Sequence, residues 1–134
     1  MKTLLPLLAV CMMVAAVSCS NGKGKNYSEN RTRMEDQAQQ MLQQARKKLA
    51  AGSPAEAKAL IEKMRTDCYL AIDARTQGIL LMDSVDLRLS QIALRQIDSL
   101  MRSTDCDSIG QEDFDEACRK VQFYERKLQF DKKQ

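Results

Sequence analysis

The sequence predicts an all-α protein, on three observations. Apolar residues recur at spacings of three and four through most of the chain beyond Met34. Only 5 Gly and 2 Pro occur in 134 residues, too few to turn the strands of an all-β domain. The long uninterrupted stretches are rich in Ala, Leu, Gln, Glu, Lys and Arg, which are strong helix formers. The expected architecture is an elongated helical hairpin bundle of about four helices, at about 34–51, 54–66, 70–102 and 111–130. These helices form one domain, 33–134, behind a signal peptide at 1–18 and a flexible tether at 19–32.

The N-terminus reads as an address. Lys2 supplies a short positive region, and Leu4 to Val17 is an uncharged, mostly apolar run broken only by Pro6. As a helix that run rises about 21 Å, short of the roughly 30 Å hydrocarbon core, so it reads as a signal-peptide core rather than a membrane span. Ala16-Val17-Ser18-Cys19 then resembles the lipobox of bacterial lipoproteins, with Ala16 where Leu is usual. The resemblance implies cleavage before Cys19 and lipidation of its thiol, often with acylation of its amine. Two or more acyl chains hold a protein firmly on a bilayer. Residues 20–32 are dominated by Ser, Asn, Gly and Lys and read as a flexible linker. Lys23 and Lys25 stand where some sorting systems read acidic residues, which leans toward an outer-membrane protein facing the periplasm.

The first helix places Ala38, Met41, Leu42, Ala45 and Leu49 on one face and ends at Gly52. Ser53-Pro54-Ala55-Glu56 opens the second, with Ser as N-cap, Pro at the first helical position and Glu closing a capping box. Ala57, Leu60, Ile61 and Met64 form its apolar face. Ala45, Gly52, Ala57 and Ile61 sit as in a tetratricopeptide hairpin, which this pair resembles, although no second copy follows.

The third element carries Ile72, Ile79, Met82, Val85, Leu89, Ile92, Ile97 and Leu100 without a Pro. Leu80, Leu81, Leu87 and Leu94 widen the stripe beyond a strict heptad, as suits contact with two partners. Gly78 costs roughly 1 kcal/mol in a helix interior and marks a close approach of the first hairpin or a bend. A polar break at 103–110 leads to the fourth helix, with Phe114, Cys118, Val121 and Leu128 on one face and Phe123 and Tyr124 beside it. This helix is expected to fold back along the third. Its acids Glu112, Asp113, Asp115 and Glu116 lie at the start and its bases toward the end, as the helix dipole favours.

Ala71-Ile72-Asp73-Ala74-Arg75 through Leu81-Met82-Asp83-Ser84, with the ending Val121 to Asp131, resembles a group of small helical lipoproteins of Gram-negative gut anaerobes. The resemblance implies an α-helical, membrane-tethered protein and carries no activity or functional residues.

Composition narrows the chemistry. The chain has no His and no Trp, which removes most general-base, triad and zinc chemistry. Six aromatics are too few for a base-stacking surface, and the net charge of +3 does not point to nucleic acid. No catalytic residue and no cofactor is expected, and the chain does not read as an enzyme. Beyond Cys19 and Cys11, three thiols remain: Cys68, Cys106 and Cys118, with no clear pairing. The stretch Asp105 to Glu116 places acids at EF-hand positions through Asp105, Asp107, Asp113 and Glu116, with Gly110 between. Ile109 stands where an oxygen ligand is needed and Glu112 where an apolar anchor is needed, so no metal is expected there, although calcium is the ion to test. Asp83-Ser84-Val85, Asp98-Ser99-Leu100 and Asp107-Ser108-Ile109 resemble a short periplasmic O-glycosylation acceptor, with Ser108 the most accessible. The expected function is a membrane-anchored helical interaction or scaffold protein of the bacterial cell envelope. Its expected contacts are the membrane, through lipid on Cys19, and another envelope protein or a second copy. The alternative is an ion- or small-ligand-binding module at the 105–116 loop.

Overall fold

A computed structural model describes residues 22–103 and 110–134 of the chain, with side chains described from Asn26 onward. Four helices account for nearly all of it: α1, Gly22–Ala50; α2, Pro54–Asp67; α3, Ile72–Arg102; and α4, Gln111–Asp131. The protein is all-α, and the helix boundaries agree with the sequence reading except at the start of α1.

There α1 begins at Gly22, inside the stretch read as a flexible tether, and residues 22–32 are helical. The packed part of α1 nucleates the helix, and each further residue then adds a hydrogen bond without the nucleation cost. Residues 26–33 are all exposed, so this end of α1 is a stem about 18 Å long that stands clear of the core.

α1 and α2 form an antiparallel hairpin. The chain leaves α1 through a Schellman turn: the Ser53 amide donates to the Lys48 carbonyl (2.9 Å) and the Gly52 amide to the Leu49 carbonyl (3.1 Å). Gly52 supplies the left-handed conformation this turn needs, at φ 83°. The expected capping box does not form. Ser53 makes no side-chain cap, and Glu56 instead pairs across the turn with Lys48 at 2.6 Å. Pro54 holds the first helical position and is buried.

The core lies where α3 crosses this hairpin. Ala38, Leu42 and Ala45 from α1, Ala57, Ile61 and Met64 from α2, and Ala74 and Val85 from α3 are fully buried. Cys68 and Ala71, in the turn between α2 and α3, are buried with them. Gly78 is the point of closest approach: a Cβ there would meet Met64 Cε at 2.9 Å, with Leu42 and Ile61 just beyond. The small residues that liken α1 and α2 to a tetratricopeptide hairpin, Ala45 and Ala57, let the helices come this close.

α3 is about 46 Å long, so only its first half is covered by α1 and α2. α4 runs antiparallel along a different side, over the second half of α3 and back to Asp83. The wide apolar stripe is thus divided between two partners: Ala74, Leu81 and Val85 face the first hairpin, while Ser90, Ala93 and Ile97 lie along the α4 seam. On α4 the buried centre of the seam is Ala117, with Phe114, Val121, Tyr124 and Leu128 half-buried around it. Cys118 flanks that centre rather than forming it, and Phe123 points outward, 60% exposed. The result is elongated, three helices thick at one end and two at the other.

Candidate functional site

Helix α1 reaches into the start of α3. Glu35 Oε1 accepts a hydrogen bond from the Ala74 amide at 2.6 Å, and from Gln39 Nε2 at 3.2 Å. Ala74 lies in the first turn of α3, whose amides have no partner within the helix, so Glu35 acts as a cap supplied from another element. Its second oxygen, Oε2, is buried without a partner.

A second buried acid ties α4 to α3. Asp83 is only 3% exposed, and its Oδ1 accepts from Lys127 Nζ. The same ammonium donates to Asp131 Oδ2 at 2.7 Å. Burial pushes the Asp83 carboxyl above its usual range, against the hydrogen bond from Lys127. Asp131 is held below that range by its hydrogen bond with Lys127. Asp83 Oδ2 has no partner. Buried acids of this kind hold elements in register as often as they do chemistry. In the sequence Asp83 stands out as a candidate only within the Asp83-Ser84-Val85 motif, and Glu35 does not stand out; the i, i+4 spacing of Lys127 and Asp131 is the local signal for a pair.

Beside this link the seam opens into a cleft of about 420 Å³ between α3, α4 and the start of α2. Leu89, Ala93, Ile97 and Tyr124 form its apolar lining. Its charges are largely matched: Lys58 pairs with Asp86 at 2.8 Å and Lys120 with Glu116 at 2.7 Å. The bond to Asp86 raises the Lys58 pKa, and the bond to Lys120 lowers that of Glu116.

Two of the four calcium candidates fall in the described structure. Asp113 caps α4, its Oδ2 accepting from the Gly110 amide at 3.0 Å. Glu116, one turn on, is the partner of Lys120. Both carboxylates are thus engaged within α4. Asp105 and Asp107 lie outside the described residues, as do Ser108 and Cys106. Among the described residues no group of His, Cys, Asp or Glu is arranged to hold a metal ion. Of the other Asp-Ser motifs, Ser84 donates to the Leu80 carbonyl at 2.9 Å within α3, and Ser99 is exposed on the same helix.

Cys68 and Cys118 are both free thiols. Cys68 is fully buried in the turn before α3, and that burial raises its pKa, with Asp67 and Glu35 adding to the effect. Cys118 sits on α4 opposite the second half of α3, roughly 30 Å away along the helix. Cys19 lies outside the described residues. No described helix is long and apolar enough to cross a membrane. The chain matches no protein family model, no curated protein and no solved structure at a significant level.

Proposed function

We propose that this chain is a lipid-anchored helical interaction protein of a bacterial cell envelope, held through Cys19 on the outer membrane and facing the periplasm. The observation that carries the reading is the apolar run ending in Ala16-Val17-Ser18-Cys19. Lipid on that cysteine would stand only three residues before the α1 stem, so the stem would link anchor and body as a rod rather than a loose tether.

The surface left after packing supports a binding role over an enzymatic one. Tyr69, Ile72, Ile79 and Leu80 remain exposed on the first half of α3 and the turn before it, next to the stem. With no His in the chain and its cleft charges already paired, the body offers contacts rather than a reactive group. The partner is another envelope protein or a second copy of the chain.

A photoreactive residue placed at Ile79 in the membrane-bound protein tests this. Crosslinking should yield one discrete adduct whose second component is identified by mass spectrometry, and Cys19→Ser should block lipidation and leave the N-terminal apolar run uncleaved. A chain processed in the same way without Cys19, or one that gives no discrete adduct, contradicts the proposal.

A further inference from the structure

We infer that the outward face of α4 docks on an anionic lipid surface. α4 packs one side against α3, with Lys58 of α2 facing it across the cleft. On the opposite side Arg119, Phe123, Arg126 and Phe130 recur at spacings of four, three and four, which is one line along the helix, and Lys133 follows in the turn after it. All five are exposed, and the two rings are among the most exposed large apolar groups of the structure, at 60% and 62%.

Cations alternate with aromatic rings along that line. Arg119, Arg126 and Lys133 have no ion-pair partner among the described residues, whereas Lys120 and Lys127, on the flank of the helix, are both paired. The acids of α4 are placed off the basic part of the face. Glu112 and Asp115 continue the line at its N-terminal end, Asp113 caps the helix, Glu116 pairs with Lys120, Glu125 lies to the side and Asp131 is turned in against Lys127, so the face is basic only from Arg119 onward. The edge-on contact of Phe123 with Tyr124, at 5.1 Å between ring centres, holds the first ring outward. Exposed aromatic rings between unpaired cations match a bilayer interface, where the rings enter the headgroup boundary and the cations meet phosphates.

α4 runs antiparallel to α3, and its C-terminal end meets α3 at Asp83, inside the helix and out of contact with α1. The affinity of the face for anionic lipid stands apart from the anchor.

The test is flotation of the full chain with vesicles of phosphatidylcholine alone, or of phosphatidylcholine mixed with phosphatidylglycerol. It is made in a Cys19→Ser background, so that no acyl chain contributes and the N-terminal apolar run adds equally to both lipids. Binding should rise with phosphatidylglycerol and fall with added salt. Arg126→Glu with Lys133→Glu should weaken the anionic-lipid increment roughly tenfold or more, and Phe123→Ser with Phe130→Ser should reduce it as well. Arg126→Lys with Lys133→Arg should retain it, as should the off-face control Arg88→Glu. All these positions are exposed, and helical circular dichroism confirms that each variant folds.

Equal binding to both lipids, or an increment that survives the α4 substitutions, overturns the inference; the second result would assign the increment to another surface. If lipid binding is absent and an acidic protein is instead retained through the same residues, the face is a protein site and the inference fails. Loss of lipid and of N-terminal cleavage on Cys19→Ser in cells, with the α4 increment intact in vitro, supports anchor and face separately. Cleavage unaffected by Cys19→Ser overturns the anchored reading and leaves the face standing.

Discussion

Glu35 of α1 caps α3 by accepting the Ala74 amide at 2.6 Å, a bond between residues 39 apart in sequence. Removing the acceptor leaves a first-turn amide of α3 unpaired in a half-buried place. Glu35→Ala should cost about 1 kcal/mol, the usual range for a lost cap. Glu35→Gln, which keeps an oxygen acceptor, should cost less than half of that. Chemical denaturation followed by circular dichroism measures both, and equal losses would contradict the capping role.

Gly78 is set against Met64. An alanine there gains roughly 1 kcal/mol of helix propensity but must displace Met64 Cε, which a Cβ would meet at 2.9 Å. Met64 is flexible but fully buried, so the two effects should nearly cancel. Gly78→Ala should fall within about 1 kcal/mol of the wild type, while Gly78→Leu should destabilise by about 3 kcal/mol or more through overpacking. Thermal denaturation distinguishes these. A well-folded Gly78→Leu would show that the helices are not closely crossed at this point.

Asp83 and Asp131 share the ammonium of Lys127, and their pKa values are displaced in opposite directions. The raised Asp83 pKa means the folded chain holds that proton more tightly than the unfolded chain. Its contribution to stability is therefore greatest at low pH and is lost as pH rises from the ordinary carboxylate value through the raised one. The lowered pKa of Asp131 works the other way: its contribution is present above the ordinary value and is lost as pH falls through the lowered one. Asp83→Asn removes the first effect. Measured by denaturation, wild-type stability relative to Asp83→Asn should decline as pH rises through the upper window, and a difference independent of pH would contradict the assignment. Lys127→Ala strands Asp83 without its cation and should cost about 2 kcal/mol, moderated by the partial exposure of Lys127.

The two described thiols should differ in reactivity. Cys68 is buried with a raised pKa, and Cys118 is half-buried on α4. Alkylation at neutral pH, mapped by peptide mass, should modify Cys118 before Cys68, with Cys68 reacting only on unfolding. Equal rates would show that the α2–α3 turn opens readily.

Most of the fold is legible in the sequence because helices declare themselves locally. Pro54 and Gly52 mark one boundary, and the three-and-four spacing of Ala38, Leu42 and Ala45 marks the buried face of α1. What stays hidden depends on distance. Glu35 lies on the flank of the α1 apolar stripe, and nothing nearby shows that the start of α3 will meet it. Asp83 reads as an exposed acid until Lys127 arrives from α4. Glu56 fits a capping box by spacing, yet Lys48 across the turn takes its carboxylate. The stem is hidden for another reason: Asn, Ser and Gly composition suits a linker, and only the packed helix behind it makes continued propagation favourable.

Of the candidate site, Asp113 and Glu116 could be placed by spacing, but their engagement with the Gly110 amide and with Lys120 could not. The outward alignment of Phe123 and Phe130 with Arg126 becomes visible only when Ala117 and Leu128 fix which side of α4 faces α3.

Anchoring through Cys19 is tested most directly by mass spectrometry of the N-terminus of the protein isolated from its own membranes. The expected result is a chain that begins at Cys19 and carries diacylglycerol on the thiol, with or without an acyl group on the amine. An intact Met1, or a chain beginning beyond Cys19, would contradict it.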